Sequence, residues 1–168
     1  MERLAPLHVV EQIVHSWFEL IHSVAPIFHR RSFLTRLRSG EAEHDGIFTA
    51  LVVSVCAATI ASLRRKSSQE FGFLSPERCW DVIEEINSQG AREMFTLEWC
   101  QMKYNLGSSQ YMIDDVQQFK NISEAVIGIK YLMHYEMSSM DSLSRELLKR
   151  LYWLVFAAGW YVSVSIWR

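Results

Sequence analysis

Gly46-Ile47-Phe48-Thr49-Ala50-Leu51-Val52-Val53-Ser54-Val55-Cys56-Ala57-Ala58-Thr59-Ile60-Ala61-Ser62-Leu63 carries no charge for eighteen residues, and the way it is read decides the fold. It touches the lower length limit of a membrane-spanning helix. A second charge-free run of seventeen residues, Leu151 to Trp167, does the same. Their basic flanks, Arg64 to Lys66 and Lys149-Arg150, would fall in one central loop, as a positive-inside hairpin requires. Against this, Thr49, Ser54, Thr59, Ser62 and several alanines dilute the first run, and Tyr152, Gly159, Tyr161, Ser163 and Ser165 the second. Helices apolar all round are also what the centre of a helical domain looks like. The sequence therefore predicts an all-α domain in which Ile47–Leu63 and Leu151–Ile166 are the most buried helices. A two-span membrane protein is the alternative.

Working outward, the flanking segments carry helical periodicity, and no strict alternation bounded by Asn-Gly or Asp-Gly suggests a hairpin. Upstream, Val10, Ile13, Val14, Trp17, Phe18, Leu20 and Ile21 form one apolar stripe, predicting a helix from His8 to Val24 ended by Pro26. Ser32 is expected to cap a short helix through Leu37, stopped by Gly40, and Asp45 to cap the apolar run itself. Downstream, Ser75-Pro76-Glu77 is a start signal with Ser at the cap and Pro at the first helical position, opening a helix to Asn87. Thr96–Asn105, ending at Leu106-Gly107-Ser108-Ser109, then Ile122–Met133 and Ser144–Ser165 complete the set.

The 168 residues, 49% hydrophobic and 21% charged, suit one domain with a real core. A net charge of −2 gives no overall attraction to a phosphate backbone, which argues against DNA binding by this chain alone. Cys56, Cys79 and Cys100 are far apart, without a Cys-x2-Cys pair or a matching histidine pair, so they read as structural thiols in a reducing compartment and not as zinc ligands. The N-terminus has neither an apolar signal core nor a small-residue cleavage site.

The candidate functional groups are sparse. His8, His15, His22 and His29 recur every seven residues. On one helix that spacing is about 10.5 Å, too far for a shared zinc with donors about 2.1 Å away, so the series is expected to be a coincidence of the helix surface. His29-Arg30-Arg31 with Arg36 and Arg38 forms one basic cluster, for which a nuclear-localisation or phosphate-contact role and a buried or interface ion pair at His29 and Arg30 stand beside plain solvation. Arg64-Arg65-Lys66 forms a second, at a helix C-terminus where cations are favoured. Glu146 with Lys149 and Arg150 has the spacing of helix-surface ion pairs. Asp114-Asp115 and Glu84-Glu85 are adjacent pairs that do not converge as a catalytic dyad must. No nucleophile-elbow, zincin, phosphate-loop or dinucleotide motif appears, and an enzyme is not expected.

One resemblance organises these pieces. Ala25-Pro26-Ile27-Phe28-His29-Arg30-Arg31-Ser32-Phe33-Leu34 resembles the opening of the fungal-specific transcription factor domain, the middle homology region found downstream of a binuclear zinc cluster in fungal activators. Tyr104-Asn105-Leu106-Gly107, Ser123-Glu124-Ala125-Val126 and Ile129 to His134 look like its paired helices, and Glu146-Leu147-Leu148-Lys149-Arg150-Leu151-Tyr152-Trp153 is similar to its Glu-x-x-Arg-Arg-x-x-Trp block. The positions matching the family pattern are Pro26, His29, Arg30, Phe33, Glu124, Ala125, Glu146, Arg150 and Trp153. The departures are Gly159-Trp160 where the family has Asp-Arg, and Trp167-Arg168 where it has Gly-Arg-Pro.

The resemblance implies a single multi-helix regulatory domain, incomplete at its C-terminus, in the nucleus. Its partners would be transcriptional co-regulators or a small-molecule inducer. Zinc and DNA recognition would belong to the cluster of full-length relatives, whose six cysteines are absent here. A truncated fragment without independent function, marked by an exposed apolar face, is a further alternative.

Overall fold

The computed structural model describes residues 4–68, 70–89 and 95–165, with side chains up to Ser88 in the second segment and to Ala157 in the third. Every regular element among the described residues is helical, with no strand. Seven α-helices follow one another: α1 Leu7–Leu20, α2 Arg30–Arg38, α3 Gly46–Arg65, α4 Pro76–Gln89, α5 Leu97–Gln110, α6 Asp115–Tyr131 and α7 Ser142–Ser165. A 3-10 turn, Glu41–Glu43, precedes α3, and a single π turn, Leu132–Glu136, follows α6.

Apart from α1, which has Pro6 at its cap position and no side-chain cap, the helix starts follow from capping chemistry. Asp45 accepts hydrogen bonds from the backbone N–H groups of Ile47 and Phe48 at 2.9 and 3.0 Å, Ser75 from Arg78 at 3.1 Å and Thr96 from Trp99 at 3.1 Å. α2 departs from expectation. It starts at Arg30, and its cap is His29, whose Nδ1 accepts from the Ser32 amide at 3.4 Å and lies 2.8 Å from the Ser32 hydroxyl. The imidazole nitrogen takes the place of the oxygen that Ser32 was expected to supply. α1 ends at Leu20, short of Val24. The His22 amide turns back to the Trp17 carbonyl, and the chain swings so that Ile27 and Phe28 enter the core.

α3 is the axis of the molecule. From Phe48 to Leu63 every residue is buried except Ser62, because α1, α4 and α5 pack around it. It is the one helix among the described residues long and apolar enough to cross a membrane, and 78% of that window is covered by the protein itself. Among the described residues the second central helix is α5. Trp99, Cys100, Met102 and Leu106 are buried there, together with Gln101, Asn105, Ser109 and Gln110. These amides and hydroxyls are tolerated inside because each is partnered. Gln101 donates to the Ile27 carbonyl at 2.6 Å, Asn105 to Ser54 at 3.4 Å, Trp80 to Ser109 at 2.8 Å and Asn121 to Gln110 at 2.9 Å.

α5 also runs through Leu106-Gly107-Ser108-Ser109 instead of ending there. A Cβ on Gly107 would lie 2.7 Å from Ile122, and one on Gly128 would lie 2.6 Å from the Cys100 sulfur and 2.9 Å from the Trp99 ring. Gly107, Ala125 and Gly128 let α5 and α6 approach closely, so the glycine that reads as a helix stop is a packing glycine. α6 begins at Asp115, well before Ile122, with Asp114 accepting from the Gln117 amide at 3.0 Å.

In α7, Leu147, Leu148, Leu151 and Val155 are buried, whereas Trp153 and Phe156 are 65% and 57% exposed. Its described part is thus one-sided and not buried all round. Gly159 and Trp160, whose side chains belong to the family comparison, lie outside the described side chains, and Trp167 and Arg168 outside the described residues.

Candidate functional site: a cationic cleft between the α1–α2 turn and α7

The turn after α1 sets down a compact aromatic floor. Trp17 packs on Phe18 and Phe28 with ring centroids 5.1 and 4.9 Å apart, and Phe33 packs on Phe18, Phe28 and Phe48 at 5.9, 4.9 and 5.5 Å. Against this floor lies an open cleft of about 580 Å³, lined by His22, Phe28, His29, Arg30, Arg31 and Leu34 on one side and by Leu143, Leu147 and Arg150 of α7 on the other. Arg30 lies over the Phe18 ring, 5.6 Å from its centroid. Arg150 is held by Glu146 one helical turn earlier, Nε to Oε1 at 3.0 Å.

The electrostatics of the cleft are one-sided. Three guanidiniums line it, and the carboxylate of Glu146 is the only acidic partner that any of them has among the described residues. His22 registers that field. Burial, then Arg150 and then Arg30 push its pKa below the ordinary 6.5. Its ring sits against Trp17 and Phe18, and its Nδ1 is buried without a hydrogen-bond partner among the described residues.

The positions singled out by the family pattern thus divide in two. His29, Arg30 and Arg150, with Glu146 on Arg150, meet at this cleft from opposite ends of the sequence. The others are structural. Pro26 sits in the turn whose Ile27 carbonyl receives Gln101, and Phe33 is buried in the aromatic floor. Glu124 pairs with the Lys103 ammonium at 2.5 Å, Ala125 is fully buried against α5, and Trp153 is exposed beside Tyr152 and Phe156. His22 and Leu143 line the cleft from outside the blocks that resemble the family, and Phe28, Arg31, Leu34 and Leu147 lie within those blocks but outside the matched positions. The heptad of histidines breaks up as well. His8 and His15 are on α1, His22 is in the turn and His29 is the α2 cap.

Other charged groups are committed to the fold. Arg36 bridges Glu41 at 2.7 Å and Glu98, and lies 4.0 Å from the centroid of Phe48, tying α2 and the 3-10 turn to α3 and α5. Burial opposes its charge, yet the hydrogen bonds to Glu41 and Glu98 hold its pKa above the ordinary value. A larger hollow of about 790 Å³ includes Asp45 and Glu98 in its lining, and these already cap α3 and bind Arg36. Arg64 pairs with Glu77 at 3.5 Å. All three thiols are buried and free, and burial raises Cys79 and Cys100 to about 12. Among the described residues no group of three His, Cys, Asp or Glu side chains could hold a metal ion.

Neither family models nor curated proteins nor solved structures contain a match to this chain.

Proposed function

We propose that this chain is a helical regulatory domain that acts by binding, in the manner of the middle homology region of fungal transcription factors, and that it works in the nucleus without DNA recognition or catalysis of its own. One observation carries the reading. His29 and Arg30 from the opening block, and Glu146 and Arg150 from the closing block, come together around a single cleft. Arg30 and Arg150, both exposed, reach this cleft from distant segments, as the walls of a ligand-binding cleft do. The acidic net charge fits a module that leaves DNA to another domain.

The test is to fuse the chain to a heterologous DNA-binding domain in yeast and read a reporter placed under that domain's operator. The fusion is expected to change reporter output relative to the DNA-binding domain alone, and R30Q/R150Q to remove the change at equal protein level. An output identical to the DNA-binding domain alone contradicts the reading. Fractionation checks the membrane alternative, because a protein recovered only with detergent would support two spans.

A further inference from the structure

We propose that the cleft between the α1–α2 turn and the first turns of α7 binds a small organic dianion, a phosphate monoester with an apolar body, through Arg30, Arg31 and Arg150. The inference rests on the regulatory reading for its biological consequence only, since the binding itself is a property of the cleft.

Three features lead to it. First, the volume of about 580 Å³ lies within the range of small-molecule sites. Second, the walls separate by chemistry. Phe28, Leu34 and Leu147 form a closely packed apolar floor and Leu143, 41% exposed, offers accessible hydrocarbon, while the three guanidiniums supply forked donors suited to phosphate oxygens. Third, the charge is unbalanced. Glu146 offsets Arg150, and neither Arg30 nor Arg31 has a carboxylate partner among the described residues. Like charges facing one cleft repel, so an anion seated between them relieves a repulsion as well as making new contacts. Two uncompensated guanidiniums favour a dianion over a monocarboxylate.

His22 completes the site. The groups facing it are Trp17 and Phe18 of α1, Arg30 of α2 and Arg150 of α7, and the first-named cause of its lowered pKa is burial, followed by those two arginines. Its Nδ1 is a buried polar atom there without a hydrogen-bond partner among the described residues. An anion in the cleft would offset Arg30 and Arg150 and move His22 back toward protonation.

Phenyl phosphate is the probe, with inorganic phosphate, hexanoate and benzyl alcohol for comparison, at about pH 7.5 where a phosphate monoester is a dianion. Calorimetry reads affinity, and the ring resonances of His22 read the site. Phenyl phosphate is expected to bind at least about tenfold more tightly than inorganic phosphate or hexanoate, to shift His22 and to lose most of its affinity in R30Q/R150Q. R38Q should bind normally, because Arg38 pairs with Glu11 away from the cleft. The substituted side chains are exposed, and a melting curve checks that each variant folds.

No saturable binding of phenyl phosphate, equal binding by R30Q/R150Q, or hexanoate binding as tightly as phenyl phosphate overturns the inference. A reporter that still depends on Arg30 and Arg150 when phenyl phosphate does not bind would leave the regulatory reading standing and this ligand class refuted. Binding without any reporter response would do the reverse.

Discussion

The charge-free runs of α3 and α7 look alike as sequence, yet the described part of the second, Leu151 to Ala157, is covered differently from α3. α3 is enclosed by α1, α4 and α5, so that even Ser54 and Thr59 are fully buried, their hydroxyls returned to the Leu51 and Val55 carbonyls at 2.7 and 2.8 Å. α7 packs mainly on α6, and its described side chains bury one face and leave Trp153 and Phe156 in solvent. Apolar composition fixes how much cover a helix can use. How much it receives depends on how many neighbours reach it, and that is a matter of topology.

Four substitutions can break or sharpen this contrast. Phe48→Ala removes a fully buried ring from α3 that also supports Phe33 and Arg36, and should cost about 3–5 kcal/mol in chemical denaturation. A much smaller loss would mean that α3 is not enclosed. Gly128→Ala places a methyl group against Cys100 and Trp99 where α6 closes over α5, and should cost about 1–3 kcal/mol by the same measurement. A neutral result would show that the two helices stand further apart.

Met112 lies in the short link between those two helices, exposed, at φ +65°. Met112→Gly should stabilise by up to about 1 kcal/mol, since the left-handed region costs an L side chain about 1–2 kcal/mol and glycine gives part of that back in unfolded-state entropy. A destabilised variant would mean that this turn has another conformation. The smallest effect is expected on α7. Trp153→Ser should change the melting free energy of the monomer by no more than about 0.5 kcal/mol, as for an uncovered surface position. A loss of several kcal/mol would show that its ring is buried after all.

Legibility in the sequence followed the same division. α3 and α4 could be placed because Asp45 and Ser75-Pro76 announce their starts and the apolar residues behind them do enter the core. α5 was readable as a helix but not as a central one. Gln101, Asn105, Ser109 and Gln110 look like a solvated face until their partners on other elements are known. The beginning of α6 was hidden for the opposite reason. Val116 and Phe119 are apolar and exposed, so periodicity pointed nowhere, although Asp114 with Gln117 three residues on carried a capping signal.

Of the candidate site, the sequence singled out His29, Arg30, Glu146 and Arg150, as members of separate blocks. Their meeting depends on the placement of α7 near the α1–α2 turn, and no local spacing encodes that. His22 belongs to a heptad of which His8, His15 and His22 fall on the helix predicted from His8 to Val24. Its particular surroundings arise because α1 stops at Leu20 and the ring turns inward onto Trp17 and Phe18.

The meeting of those two blocks is the central claim, and His22 reports on it without any ligand. Its titration followed by NMR should fall below the ordinary 6.5, and Arg150→Gln should move it upward, because one of the two cations that disfavour its protonated form has been removed. An identical titration in the wild-type and Arg150→Gln proteins would mean that α7 does not bring its arginine to the α1–α2 turn, and the cleft would not exist as described.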